Sequence, residues 1–185
     1  RLIRRQRQMC IRDRQYTKIF IDFGAVVAGI DTRFNNLKSQ SSFLKSGKFL
    51  PIQADVTDKK SIAEALAEIE LKLGSPNVLV NNAAIDAPPN ADETSTGPFE
   101  NYPESSWDMM MKVNLKGVFL CCQIIGKRMA ETGGGSIINI SSIYGILSPD
   151  QRIYGYKKRP FFKPIAYSAS KSGILNITRY LAIYW

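Results

Sequence analysis

Apolar positions in this chain fall into two patterns. Short unbroken runs stand at 25–30 (AVVAGI), 49–53, 77–80 and 136–140. Runs of that length, rich in branched residues, predict strands buried on both faces of a parallel sheet. Between them lie longer stretches with a helical repeat. In 58–73, Ile62, Leu66, Ile69 and Leu73 recur at intervals of four, three and four, which is one apolar helix face. Thr57 or Asp58 caps that helix and Gly74 stops it. In 105–131 the stripe is Met111, Leu115, Val118, Cys122, Ile125 and Met129. A further helix runs over 166–185, a weak one over 32–45, and 18–23 is the tail of another that ends at Gly24. Strands alternating with helices predict an α/β fold on a parallel sheet.

Composition narrows the class. The 185 residues suit one domain, and 44% hydrophobic content suits a packed core. No apolar run reaches the ~18 residues of a membrane span, and no secretory leader is visible, so no membrane partner is expected. Cys121 and Cys122 are adjacent on a helix and poorly placed to pair with each other, which fits a reducing, cytoplasmic setting. The absence of His excludes Ser-His-Asp triads and most catalytic zinc sites, and no metal is expected.

The formal charge of +9 is concentrated in two places. Residues 1–15 hold six Arg against one Asp, and 150–164 hold Arg152, Lys157, Lys158, Arg159 and Lys163 against Asp150. Charge confined to a tail and a loop argues against a nucleic-acid partner. Residues 1–15 have no clean apolar period, and CIRDR resembles translated adapter sequence. That segment is expected to be non-native or disordered. Residues 85–103, rich in Pro, Asp and Thr, predict a loop over the active site.

The candidate chemistry lies near the end of the chain. Tyr167 and Lys171 stand four apart in a helical stretch, hence on one face. Ser142 follows a strand and brings a hydroxyl. A phenol, an ammonium and a hydroxyl brought together make a proton-transfer site. Tyr154 and Lys158 form a second pair at the same spacing. Gly155 and Pro160 would break a helix there, whereas the run from Tyr167 continues, so Tyr167 is preferred. Asn114 stands beside the apolar stripe of its helix, where a polar side chain must find partners. Asn82, Ala83 and Ala84 end a strand with small residues that allow close backbone approach, or form an ordinary turn.

These residues together resemble the short-chain dehydrogenase/reductase family, from about Tyr16 to Trp185. Asn81-Asn82-Ala83-Ala84 resembles its Asn-Asn-Ala-Gly strand end, with Ala84 in the Gly place. Asn114 in KVNLKGVF, Ser142, and the Tyr167-x-x-x-Lys171 pair match its catalytic residues in order. The resemblance implies a Rossmann-type three-layer sandwich with a parallel sheet. It implies hydride exchange between NAD or NADP and a secondary alcohol or ketone, possibly a sugar, polyol or sugar acid. Tyr167 would exchange the proton, Ser142 would hold the substrate oxygen, and Lys171 would support the phenolate and bond the nicotinamide ribose. Asn114 would complete a water relay. Asp31 would bind the adenosine ribose, favouring NAD over NADP, or simply cap the next helix, and Asp55 and Val56 would contact adenine. Asn82, Ala83 and Ala84 would flank the cofactor, with Tyr167 and Lys171. The partner would be a small alcohol or ketone, and the complete protein a homo-oligomer, a dimer or tetramer.

The chain departs from the family in three respects. It has no Gly-rich Thr-Gly-x-x-x-Gly-x-Gly turn to cradle pyrophosphate. It stops within its best helix. Residues 149–165 form an insertion beside the active site, expected to meet an anionic or sugar-like substrate, solvent, or another subunit. The chain is therefore expected to be an incomplete Rossmann domain over 16–185, a fragment with an active parent. The alternative is a non-catalytic dinucleotide-binding or interaction protein on the same fold.

Overall fold

The computed structural model describes residues 2–33, 45–86, 93–156 and 161–185. Most of the predicted helix at 32–45 and residues 157–160 of the insertion lie outside them. The chain divides into two compact units, 1–55 with 60–76, and 56–59 with 77–185.

In the first unit, helix α1 (Leu2–Asp22) takes in the Arg-rich segment as one continuous helix. Gly24, at φ 91°, ends it, with the Ala25 amide donating to the Phe20 carbonyl. Strands β1 (Val27–Asp31) and β2 (Phe49–Gln53) pair in parallel, Val27 opposite Phe49 and Asp31 opposite Gln53. Helix α2 (Lys59–Leu73) presents Ala65 and Ile69 to Ile52 and Ala54. Leu73, predicted on that face, is 38% exposed because the helix ends there, one residue before Gly74 at φ 85°.

In the second unit, β3 (Val78–Asn81) and β4 (Ser136–Asn139) pair in parallel. Helix α3 (Glu104–Glu131) and helix α4 (Ile165–Tyr184) pack with this pair, sharing a core of Val118, Cys122 and Ile174 with Leu79, Leu115 and Ile137. By length and hydropathy α3 would also suit a membrane span, but half of its apolar stretch is buried inside this unit. Of the predicted stripe of α3, Val118, Cys122, Ile125 and Met129 are buried. Met110, Leu120 and Cys121 are also buried, whereas Met111 and Leu115 are half-buried. Two π-helical segments, Lys112–Lys116 and Cys122–Gly126, shift the phase of the helix, so a strict 3.6-residue repeat misses part of its apolar face.

A polar ladder ties the layers of this unit. Asn81 Nδ2 donates to Asn139 Oδ1 (2.8 Å) and to Cys122 Sγ (3.4 Å). Asn139 Nδ2 donates to Thr178 Oγ1 on α4 (2.9 Å). The turn from α3 into β4 depends on glycine in two ways. Gly133 and Gly134 take φ 109° and 87°. At Gly135 a β-carbon would lie 2.2 Å from the Asn77 carbonyl oxygen, which accepts the Ser136 amide. Gly135→Ala is therefore expected to separate β4 from the start of β3. Thermal unfolding of the full-length protein should show a midpoint lower by several degrees, on the order of a 1–3 kcal/mol overpacking cost.

Candidate active site

Tyr167 and Lys171 occupy the first two turns of α4, which begins directly after Pro164. Lys171 is 3% exposed, and its Nζ donates to the Ile140 carbonyl at the end of β4 (2.7 Å). A buried ammonium needs such acceptors. Ser142 lies on the turn just after β4. Its backbone is extended, and its Oγ accepts from the Tyr144 amide (3.2 Å), opening a short 3₁₀ turn, Ile143–Gly145.

That turn is held onto α4. Ser141 Oγ donates to the Lys171 carbonyl (2.7 Å), and Ser172 Oγ donates to the Gly145 carbonyl (2.8 Å). A β-carbon on Gly145 would come within 2.7 Å of the Lys171 carbonyl. The structure thus brings the Ser142 turn against the helix of Tyr167 and Lys171. Gly145, Ser141 and Ser172 do this work and were not singled out from the sequence. Their signal is a glycine three residues after Ser142, at a point of close approach.

Asn114 is fully buried, in the first π segment of α3. Its Oδ1 accepts from the Ile85 amide (2.7 Å), and its Nδ2 donates to the Ile85 carbonyl (2.8 Å) and to Ser170 Oγ (3.3 Å). One side chain thereby fixes the segment after β3 and ties it to α4. Asn82 and Ala84, on that segment, are buried, while Ala83 is exposed. Val56 also lies in this unit, against Gly117, where a β-carbon would stand 3.1 Å from Val56 Cγ2.

Asp31 and Asp55 belong to the first unit, at the carboxyl ends of β1 and β2, both exposed. Asp31 Oδ1 accepts from the Arg33 amide (3.0 Å), so Asp31 closes a local turn. The Asp55 amide donates to Ser61 Oγ (3.0 Å).

The insertion is folded against this unit. Tyr154 ends a 3₁₀ turn at Gly155, so it opens no helix. Its hydroxyl lies 3.3 Å from that of Tyr144, and its ring meets Phe161 edge-on. Lys158 lies outside the described residues. Arg152 is paired with Asp150, each shifting the other toward its charged form. Lys163 pairs with Asp86, and its Nζ sits over the Tyr167 ring, 4.2 Å from the centroid. A groove of about 760 Å³ runs alongside, bounded by Tyr102, Tyr144, Leu147, Phe162, Lys163 and Ser168. The Tyr102 and Ser168 hydroxyls on its walls are buried without hydrogen-bond partners among the described residues, and burial pushes the Tyr102 phenol up.

Two consequences are measurable. Asn114→Ala leaves the Ile85 amide and carbonyl without their side-chain partner, so chemical denaturation should show a loss of about 2–4 kcal/mol. Burial, then the charge of Cys122, pushes the Cys121 thiol up to about 12. Burial, partly offset by the Asn81 hydrogen bond, pushes Cys122 up to about 11. Unfolded thiols ionise near 9, so the unfolded state binds fewer protons above that pH. Stability should fall as pH rises from about 9 through 11–12. Cys121→Ala/Cys122→Ala should flatten that alkaline decline, and unchanged slopes would contradict it.

The geometry has counterparts among known proteins. The profile of the short chain dehydrogenase family matches residues 14–184. An NAD-dependent glycerol dehydrogenase of Listeria innocua is 33% identical over 91% of this chain and 58% of its own length. A D-threitol dehydrogenase of Mycolicibacterium smegmatis is 30% identical over 88% of this chain and 55% of its own. The crystal structure of a gluconate 5-dehydrogenase from Burkholderia cenocepacia, in complex with NADP and tartrate, superposes with a TM-score of 0.69. It is 26% identical, over 88% of this chain and 56% of the other. The chain thus spans a little over half the length of these relatives. With a match over nearly its whole length, on a Rossmann-like α/β fold, the chain belongs to the short chain dehydrogenase family.

Proposed function

We infer that the whole protein is an NAD(P)-dependent oxidoreductase that interconverts a secondary alcohol and a ketone on a polyol or sugar. The observation that carries this reading is the buried Lys171, one helical turn from Tyr167, on the helix that holds the Ser142 turn. A tyrosine at the start of a helix, one turn from a buried ammonium and on the helix to which a serine-bearing turn is tied, is equipped to move a proton to or from a substrate oxygen. The glycerol and threitol dehydrogenases among the relatives support the substrate class.

Taken unit by unit, the residues present suit the roles in dinucleotide binding that the family resemblance implies. An exposed carboxylate at the carboxyl end of a parallel strand suits a ribose diol, which is the role assigned to Asp31. Asp55 and Val56 would lie along the adenine. Asn82, Ala83 and Ala84 form a backbone edge with little side-chain bulk, and Tyr167 and Lys171 would meet the nicotinamide ribose. The sequence has no Gly-rich turn for the pyrophosphate. Asp31 favours NAD, since a 2′-phosphate would meet its negative charge. When bound, the nicotinamide supplies the hydride acceptor or donor.

The chain's own residues do the rest. Ser142 holds the substrate oxygen. Tyr167 takes the hydroxyl proton during oxidation and returns it during reduction. Lys171 keeps positive charge near the phenol. Asn114 holds the segment after β3 in place, and the π-helical distortion around it supports the proposed opening toward a water relay. Exposed Phe119 on α3 and Tyr180, Ile183 and Tyr184 on α4 support a homo-oligomer contact on these helices. The buried thiols fit a cytoplasmic setting.

The decisive experiment uses the full-length protein with glycerol and threitol as substrates. Tyr167→Phe should lower kcat at least about a hundredfold, the lower bound for losing a general acid-base group. Dinucleotide affinity should stay within about threefold of wild type. Retained turnover would remove Tyr167 from its role, and turnover lost on Tyr154→Phe instead would transfer that role to the other tyrosine.

A further inference from the structure

The insertion delivers a second ammonium to Tyr167. Lys163 stands at the end of the insertion, just before α4. Its side chain is 11% exposed, with Nζ over the ring of Tyr167 at 4.2 Å and 5.9 Å from the ring of Tyr144. Contacts of this range are attractive for a cation on an aromatic face. The placement is built rather than incidental. Gln151 Oε1 accepts from the Lys163 amide (2.8 Å), and Gln151 Nε2 donates to the Lys163 carbonyl (3.3 Å). The Phe162 amide donates to the Thr96 carbonyl (2.8 Å).

The counter-charge is equally fixed. Lys163 Nζ pairs with Asp86, 36% exposed, on the segment after β3. The preceding residue, Ile85, is held through both its amide and its carbonyl by buried Asn114. Each half of the pair is therefore anchored on a different part of the unit, and the ion pair closes across the ring face of Tyr167. An ammonium so buried needs acceptors, and here the acceptor carries the opposite charge. By supplying it internally, Asp86 removes the positive charge that the insertion would otherwise offer to a substrate.

We propose that the Lys163–Asp86 pair is a specificity-determining element of the Tyr167 site, cancelling the charge that Lys163 brings there so that the site takes an uncharged polyol and discriminates against a sugar acid. This rests on the reading of Tyr167 as the proton-transferring residue. A substrate carboxylate near Lys163 has to lie beside the Asp86 carboxylate or displace it, and both cost free energy. A polyol hydroxyl brings no charge and meets neither penalty. Of the other described cations, Arg152 of the insertion is paired with Asp150, and Lys171 donates to the Ile140 carbonyl.

Binding of D-threitol and gluconate to the full-length protein, by titration calorimetry with dinucleotide present, tests this without relying on turnover. Wild type should prefer threitol. Asp86→Asn frees the Lys163 ammonium for a charge-assisted bond and should tighten gluconate binding by about tenfold. That gain should shrink as salt rises and vanish in Asp86→Asn/Lys163→Met. The proposal is overturned if Asp86→Asn leaves gluconate affinity within about twofold of wild type, or if the gain survives in the double variant. The wild-type comparison decides independently of how the variants fold. Gluconate bound as tightly as threitol, or neither ligand bound, overturns it too. Oxidation that survives Tyr167→Phe would instead sink the reading of the tyrosine and leave the charge result standing.

Discussion

The second unit depends on one buried amide. Asn114 is shut away from water inside α3, where every unmet hydrogen bond carries a penalty of about 1–3 kcal/mol. It meets that constraint by bonding both polar groups of Ile85 and the hydroxyl of Ser170. Three elements are fixed by this requirement: the π-helical turn that carries Asn114, the segment after β3, and the first turns of α4. The segment after β3 carries Asp86, and the first turns of α4 carry Tyr167 and Lys171. The position of the candidate chemistry thus follows from satisfying an amide that has no access to solvent.

A second set of bonds places Ser142. The turn after β4 is sewn to α4 by Ser141 and Ser172 through backbone carbonyls. Gly145 makes this possible because a side chain there would strike the Lys171 carbonyl. Small residues in both segments therefore set how closely they approach. The insertion is joined to the same frame by Phe162, through the Thr96 carbonyl, and by Lys163, through Asp86. Of the aromatic and basic groups in its described part, Tyr154 meets Phe161, Arg152 pairs with Asp150 and Lys163 pairs with Asp86, while Tyr156 is exposed.

Much of the fold was legible in the chain. The strand at 49–53 is placed to the residue, and β1, β3 and β4 lie within two residues of their predicted bounds. Unbroken apolar runs and the glycines that end helices carry that information locally. The buried face of α3 was less legible. A π segment adds a residue to a turn, and nothing in a strict period signals it except an Asn beside an apolar stripe. The Arg-rich segment, which has no apolar period, is nonetheless helical over Leu2–Asp22.

By itself, the sequence determined the alternation of strands and helices, the family, and the identities of the Asn, Ser, Tyr and Lys that carry the resemblance. These are properties of residue type and spacing along one segment, and spacing survives without coordinates. Gly155 and Pro160 already favoured Tyr167 over Tyr154, but only the tertiary structure decided that Lys171 is buried against the Ile140 carbonyl. It also decided that Asn114 clasps Ile85, and that Asp86 and Lys163, seventy-seven positions apart, meet over the tyrosine ring. Such contacts arise where packing brings distant segments together and burial forces their polar groups to pair, and that requirement leaves no periodic trace in the chain.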